Sequence, residues 1–310
     1  MREKKPSTSA SSLSSGLVIA GHGRHYKVLT ASGEKLEAHR RGKKGDVCVG
    51  DTVTFTPPVS GVVAIEDIAP RRNILYRSDE WRIKTLAANI DCVAIVFASK
   101  PRFNPWFIWK ALLAAHQAEI PALVIRNKKA LPDEDNLAAN AIELLKKIGQ
   151  PILEVSAVEE PEKTRTALLE QLEHKVTLLV GQSGMGKSTL LNLLIPEAKA
   201  ATQEYSQALN LGKQTTTAAQ YYDGALGGWS GAIIDSPGFQ EFGLAHLSLN
   251  DILRAMPDIA QYVDGCRFFN CRHLHEPNCN VKKAVEEGLI DPARYEFYCA
   301  VAELADATKV

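Results

Sequence analysis

This chain lacks net charge: 36 Lys and Arg residues meet 36 Asp and Glu residues across 310 positions. That balance excludes a globally polybasic nucleic-acid binder, so any such surface has to be local. A long apolar run is missing too. The most apolar neighbourhood, 106–125, is broken by Lys110, His116, Gln117 and Glu119, whereas a membrane span needs about 20 apolar residues in succession. We therefore expect no transmembrane segment and no membrane partner. Residues 1–15 are basic and Ser-rich, and the run Gly16-Leu17-Val18-Ile19-Ala20 behind them is too short for the apolar core of a secretory signal. A disordered tail is the expectation there, with an organelle transit peptide as the competing reading. Cysteine is sparse: Cys48, Cys92 and Cys299 stand alone and three more cluster near the C-terminus. Such spacing suits a reducing compartment and a metal site better than a disulfide framework. A cytoplasmic monomer of two or three domains is the expectation.

What is present centres on Gly181-Gln182-Ser183-Gly184-Met185-Gly186-Lys187-Ser188, directly after the short β-branched run 176–180 and before the helix-periodic Thr189-Leu190-Leu191-Asn192-Leu193-Leu194. Strand, loop and helix in that order are the context a phosphate-binding loop requires. A triphosphate has to be wrapped by backbone N–H groups, which glycines at 181, 184 and 186 permit. The helix start then faces the phosphates. Lys187 is the expected ligand of the β- and γ-phosphates, and the Ser188 hydroxyl of Mg²⁺.

From residue 16 to about 79, short alternating runs broken by turn residues predict a small all-β domain, a five-stranded barrel of the oligonucleotide-binding type. Ser32-Gly33-Glu34 is read as the turn of its first hairpin, and Val49-Gly50-Asp51 as the opening of a later strand. Arg24, Lys27, Lys35, Arg40, Arg41, Lys43 and Lys44 outweigh Glu34, Glu37 and Asp46 here. A solvated face accounts for such a run as well as a phosphate-tracking patch does. After a linker at 70–78, strand-like segments at 91–98, 122–126 and 152–155 alternate with helical ones at 105–117, 135–148 and 161–174. This interleaving predicts a mainly parallel sheet covered by helices. Two more strands are expected within 215–222 and 229–234. The second ends in Asp235-Ser236-Pro237-Gly238, where an acidic residue at a strand end holds Mg²⁺ and a glycine N–H meets the γ-phosphate.

Cys266, Cys271 and Cys279, with His273 or His275 as nitrogen donor, fall within fourteen residues. Three thiolates and one imidazole suit a closed, structural tetrahedral Zn²⁺ site. Phe268, Phe269, Arg267 and Arg272 around it read either as RNA contacts or, for the aromatics, as packing beneath the metal loop. Helices at 282–288 and 293–304 read as a cap.

Asn127-Lys128, just after one strand, resembles the guanine motif N-K-x-D of GTPases, and Ser156-Ala157, after another, resembles the second guanine loop. Both come before the phosphate loop rather than after it. Permuted base loops, then the phosphate loop, then Gln214-Thr215-Thr216-Thr217, then Asp235-Ser236-Pro237-Gly238, then the cysteine cluster resemble the RsgA/YjeQ family of small-ribosomal-subunit biogenesis GTPases over residues 16–299. The resemblance implies an oligonucleotide-binding barrel (16–79), a circularly permuted GTPase domain (80–245) and a zinc-binding helical domain (246–310). It further implies GTP hydrolysis stimulated by the small ribosomal subunit, contact with its rRNA, bound GTP or GDP with Mg²⁺, and one structural zinc with His273 as its nitrogen ligand. Thr216 is the threonine expected to close over Mg²⁺ and the γ-phosphate.

Two positions depart from the family pattern. Ala130 stands where a carboxylate accepts from guanine N–H groups, and Asp133 and Glu134 are the nearest substitutes. Gln214 stands where the family carries His, so Gln214 would orient water rather than take its proton. These departures motivate two alternatives: an RNA-binding assembly factor with relaxed nucleotide specificity and little hydrolysis, and an ATP-using P-loop protein.

Overall fold

The computed structural model describes residues 13–40, 46–78, 83–198, 219–236, 242, 244 and 247–307. Five strands, β1 (Ser14–His22), β2 (His25–Thr30), β3 (Lys35–Arg40), β4 (Thr52–Phe55) and β5 (Val62–Ile68), run in the order β1-β2-β3-β5-β4. Pairing of β1 with β4 closes the barrel, and β3 and β5 are parallel. Alternation places Val18, Val28, Leu36, Ala38, Val53, Phe55, Val63 and Ile65 inside, forming a core separate from that of the remaining chain. The β1–β2 hairpin turns at Gly23-Arg24, so Ser32-Gly33 closes the second hairpin and not the first, as the turn residues alone had suggested. On the barrel surface Lys27 pairs with Glu37 at 3.6 Å. Arg41, Lys43 and Lys44 lie outside the described residues.

The linker expected at 70–78 is instead half of a hairpin, β6 (Ile74–Ser78) with β7 (Ile83–Ala88). It straddles the expected boundary at 79/80, and its Leu75, Leu86 and Ala87 join the core of the α/β body rather than that of the barrel. The body follows as β8 (Cys92–Phe97), α1 (Pro105–Gln117), β9 (Ala122–Arg126), α2 (Leu137–Lys147), β10 (Ile152–Glu154), α3 (Pro161–Leu172), β11 (Val176–Gly181), α4 (Lys187–Leu194), β12 (Gln220–Asp223) and β13 (Ala232–Asp235). Its strand order is β10-β9-β8-β11-β13-β12, parallel except for β12. All six residues of β8 are buried, as a continuous apolar run in the middle of a covered parallel sheet demands. One ladder contact, Ala20 with Gln220, splices the barrel onto this sheet.

The C-terminal region is helical: α5 (Leu249–Arg254), α6 (Pro257–Ala260), α7 (Asn280–Glu286) and α8 (Pro292–Ala307). Ser248 and Asp251 form a reciprocal capping box that starts α5. Trp106 of α1 meets Phe297 of α8 edge to face, centroids 5.9 Å apart. Among the described residues no helix is long and apolar enough to cross a membrane.

Candidate functional site

Strand β11 lies between β8 and β13 and delivers the glycine loop at the carboxyl end of the sheet. Gly184 and Gly186 take φ of +78° and +95°, values that L side chains rarely adopt. A Cβ at Gly186 would also fall 2.2 Å from the amide nitrogen of Asn127. The loop is thus pressed against Asn127 and leaves no room for a side chain there.

Asn127 is the hinge between the two halves. Its Nδ2 donates to the Met185 carbonyl at 3.2 Å, and its Oδ1 accepts from the Ala157 N–H at 3.2 Å. The Lys128 ammonium donates to the carbonyls of Gly184 at 2.7 Å and Lys100 at 3.1 Å. Ser156 is buried and its Oγ accepts from the Ala130 N–H at 3.4 Å. The predicted base-side residues Asn127, Lys128, Ser156 and Ala157 are therefore brought together with Gly184, Met185 and Gly186, although they precede them in the chain.

Lys187 Nζ donates to the carbonyls of Gly181 at 2.6 Å and Gln182 at 3.3 Å, and burial holds its pKa below the usual lysine range while Asp235 opposes that shift. Asp235 is buried at the end of β13, and that burial pushes its carboxyl up to about 6 against the pull of Lys187. Its Oδ1 has no hydrogen-bond partner among the described residues. A buried carboxylate oxygen without a donor is costly, and a hard cation with oxygen ligands is what such an atom suits. Ser188 and Thr189 are exposed at the start of α4, with Ser183 exposed in the loop before it. Ser236 Oγ donates to the Leu179 carbonyl at 2.8 Å, tying the β13 end to β11. Gln214, Thr216 and Gly238 lie outside the described residues.

Near Ala130, which is exposed, the two candidate substitutes are engaged elsewhere. Asp133 accepts from the N–H groups of Ala138 and Ala139 at 3.2 and 2.8 Å, and Glu134 pairs with Lys100 at 2.7 Å. Sequence reasoning missed Lys100 and Asn104. The Asn104 N–H donates to Gln182 Oε1 at 2.8 Å, which fixes the start of α1 to the phosphate loop. The Asn104-Pro105 pair signals a helix start, but nothing local reveals that this start abuts residue 182.

In the C-terminal region Cys266, Cys271, His273 and Cys279 hold their donor atoms within 4.8 Å of one another. Cys266 Sγ lies 3.9 Å from Cys279 Sγ, and His273 Nδ1 lies 3.4 and 3.5 Å from those two sulfurs. Zinc bonds of about 2.3 Å to sulfur and 2.0 Å to nitrogen place tetrahedral ligands roughly 3.5–3.8 Å apart, so the donor set fits such an ion. His273 is buried in the cluster, whereas His275 is exposed and outside it. Helix α8 braces the loop: the hydroxyls of Tyr295 and Tyr298 donate to the carbonyls of His273 at 2.7 Å and Arg272 at 2.9 Å.

A strand, phosphate loop and helix whose base-side loops come from earlier in the chain define a circularly permuted P-loop nucleotide-binding protein, here with a closed barrel in front and a metal-type cluster behind. The chain belongs to the RsgA GTPase family, whose model matches residues 68–245. A small ribosomal subunit biogenesis GTPase RsgA from Bordetella pertussis is 45% identical over 294 residues, covering 95% of this chain and 97% of that one. The crystal structure of YjeQ from Thermotoga maritima matches with a TM-score of 0.66 at 28% identity, covering 94% of this chain and 98% of that one. The structure of YloQ, a circularly permuted GTPase, matches with a TM-score of 0.64 at 22% identity over 98% of this chain and 99% of that one, a likeness of fold.

Proposed function

We propose that this chain is a magnesium-dependent GTPase of late small-subunit maturation, its turnover stimulated by the small ribosomal subunit. The observation that carries the reading is the Asn127 side chain, which bonds the phosphate loop on one side and the Ser156-Ala157 loop on the other. That bridge makes one continuous cradle for a base and a phosphate tail. Relatives named as small ribosomal subunit biogenesis GTPases align over nearly the whole chain and supply the partner.

In this reading the N–H groups of residues 182–188 wrap the phosphates, and Lys187 exchanges its carbonyl partners for phosphate oxygens. Asn127, Lys128, Ser156 and Ala157 line the base. Ser188, Asp235 and Thr216 would hold magnesium, which neutralises charge on the β- and γ-phosphate oxygens when bound. Gln214 orients the attacking water, and the Gly238 N–H meets the γ-phosphate. Cys266, Cys271, His273 and Cys279 would hold one structural zinc. The barrel and the metal-bearing domain grip rRNA, with domain limits near 16–79, 80–245 and 246–310, and the protein acts as a cytoplasmic monomer.

Steady-state phosphate release from GTP, with and without purified small subunits, tests the proposal. Slow release that rises at least tenfold with subunits is the expected result, and equal release in both conditions would overturn it.

A further inference from the structure

The loop between Cys266 and Cys271 carries two phenylalanines that do not pack beneath it. Phe269 is fully exposed and Phe268 is partly so. The Arg267 guanidinium sits over the Phe268 ring, 5.6 Å from its centroid, which leaves Phe269 as the ring presented outward. Exposing a whole aromatic side chain forgoes its burial energy.

The turn beneath Phe269 is tied into the sulfur cluster by hydrogen bonds. The Cys271 N–H donates to the Phe268 carbonyl at 3.1 Å, closing a tight turn between two members of the sulfur cluster. The Asn280 N–H reaches Cys266 Sγ at 3.4 Å, and the Asn280 side chain donates to the Tyr262 carbonyl at 2.9 Å. The Glu276 carboxylate is engaged within the loop, accepting from the N–H groups of Arg272, Leu274 and His275 at 2.9, 3.0 and 3.2 Å. Arg267, Asn270 and Arg272 are the neighbours of the aromatic pair in this loop.

We infer that Phe269 is a stacking platform for an unpaired RNA base, with Arg267 and Arg272 toward the flanking phosphates. A ring that anchors a protein interface is normally surrounded by apolar contacts that exclude water. Here its loop neighbours are guanidinium and amide groups, which match a nucleotide: a flat face for the ring and a charged backbone on either side. This inference rests on the small subunit as partner and names the contact made from the metal-bearing domain.

The test measures binding by Phe269→Ala, Phe269→Leu and Phe269→Trp in the full-length protein, after confirming that each keeps the zinc content and subunit-free GTP turnover of the parent. One arm uses purified small subunits in a sedimentation assay, and the other a fluorescein-labelled, unstructured twelve-nucleotide RNA in anisotropy. Loss of a base stack predicts at least about fivefold weaker binding for Phe269→Ala and Phe269→Leu in both arms, with Phe269→Trp restoring it. Parental affinity in Phe269→Ala would overturn the inference. Parental affinity in Phe269→Leu alone would also overturn it and assign an apolar protein pocket as the occupant. If the parent protein binds the oligonucleotide through Phe269 but does not bind subunits, the platform stands and the subunit partnership falls.

Discussion

The guanidinium of Arg294 lies 4.7 Å from the ring centroid of Trp109 while bonding the carboxylate of Asp258 at 3.0 and 3.3 Å. Trp109 is on α1, whose first residue follows Asn104 at the phosphate loop, and Arg294 is on α8, whose Tyr295 and Tyr298 hold the sulfur-rich loop. Nucleotide site and metal-type cluster are thereby joined through two packed helices. Arg294 is buried, so Arg294→Ala leaves Asp258 without its cation and Trp109 without its cover. We expect a loss of about 3 kcal/mol in urea unfolding, with Arg294→Lys intermediate because an ammonium cannot stack as a planar guanidinium does.

Gly186→Ala tests the phosphate loop without removing a charge. The added methyl would fall 2.2 Å from Asn127 Nδ2 at a φ of +95°, so the loop has to deform away from Asn127. Nucleotide affinity measured by calorimetry should fall by at least about a hundredfold, while the melting temperature of the nucleotide-free protein moves by only a few degrees.

Removal of zinc is expected to melt the loop rather than the molecule. The loop has few apolar residues of its own, and metal binding of this kind is folding free energy. Metal analysis should find about one zinc per chain. Cys271→Ser should lose it, and hydrogen exchange should rise across 262–280 while β8 and β11 remain protected.

Asp91 gives an acid-limb prediction. Burial works against its charge, but Arg72 at 2.6 Å and the Val176 N–H at 2.9 Å hold its pKa below the usual 3.8. The stability it contributes is therefore complete above pH 3.8 and is lost as pH falls through the lower folded value. Asp91→Asn should cost about 1 kcal/mol near neutrality, allowing for the exposure of Arg72. That difference should close in acid, as read from urea midpoints across pH.

Much of the site was legible because its chemistry is contiguous. Residues 181–188 carry loop, cation and helix start in one stretch, Asp235 ends a strand, and the candidate sulfur ligands fall within fourteen positions. Asn127 and Ser156 each follow a short apolar run, and the base-side role proposed for them came from the resemblance to the guanine loops of GTPases. What escaped depends on partners far along the chain. The strand Ile83–Ala88 is set by its pairing with Ile74–Ser78 and by burial against the α/β body, and so 70–78 read as a linker. The bond from Asn104 to Gln182 spans 78 positions and that from Arg294 to Asp258 spans 36, with no periodic signal at either end. The barrel was predicted from alternation, yet its first turn was misplaced because Gly23 and Gly33 are equally good turn residues until strand register chooses between them.

Ala130 bears on base choice. Asp133 and Glu134 are tied to α2 and Lys100, so neither supplies the carboxylate that the family pattern places at 130. Ala130→Asp should tighten GDP binding by about tenfold or more, since hydrogen bonds to a charged acceptor are worth about 1.5–3 kcal/mol each. ADP binding should be unchanged. Calorimetry with both nucleotides on the parent and this variant is the check.

The claim beneath these predictions is that the loop after β11, closed against Asn127, holds a guanine nucleotide with magnesium. Titrating GDP into the purified full-length protein with and without magnesium, beside Lys187→Ala, tests it most directly. The account predicts saturable heat that strengthens with magnesium and disappears in the variant. No heat from the parent protein with GDP in either condition, or undiminished heat in Lys187→Ala, would contradict it.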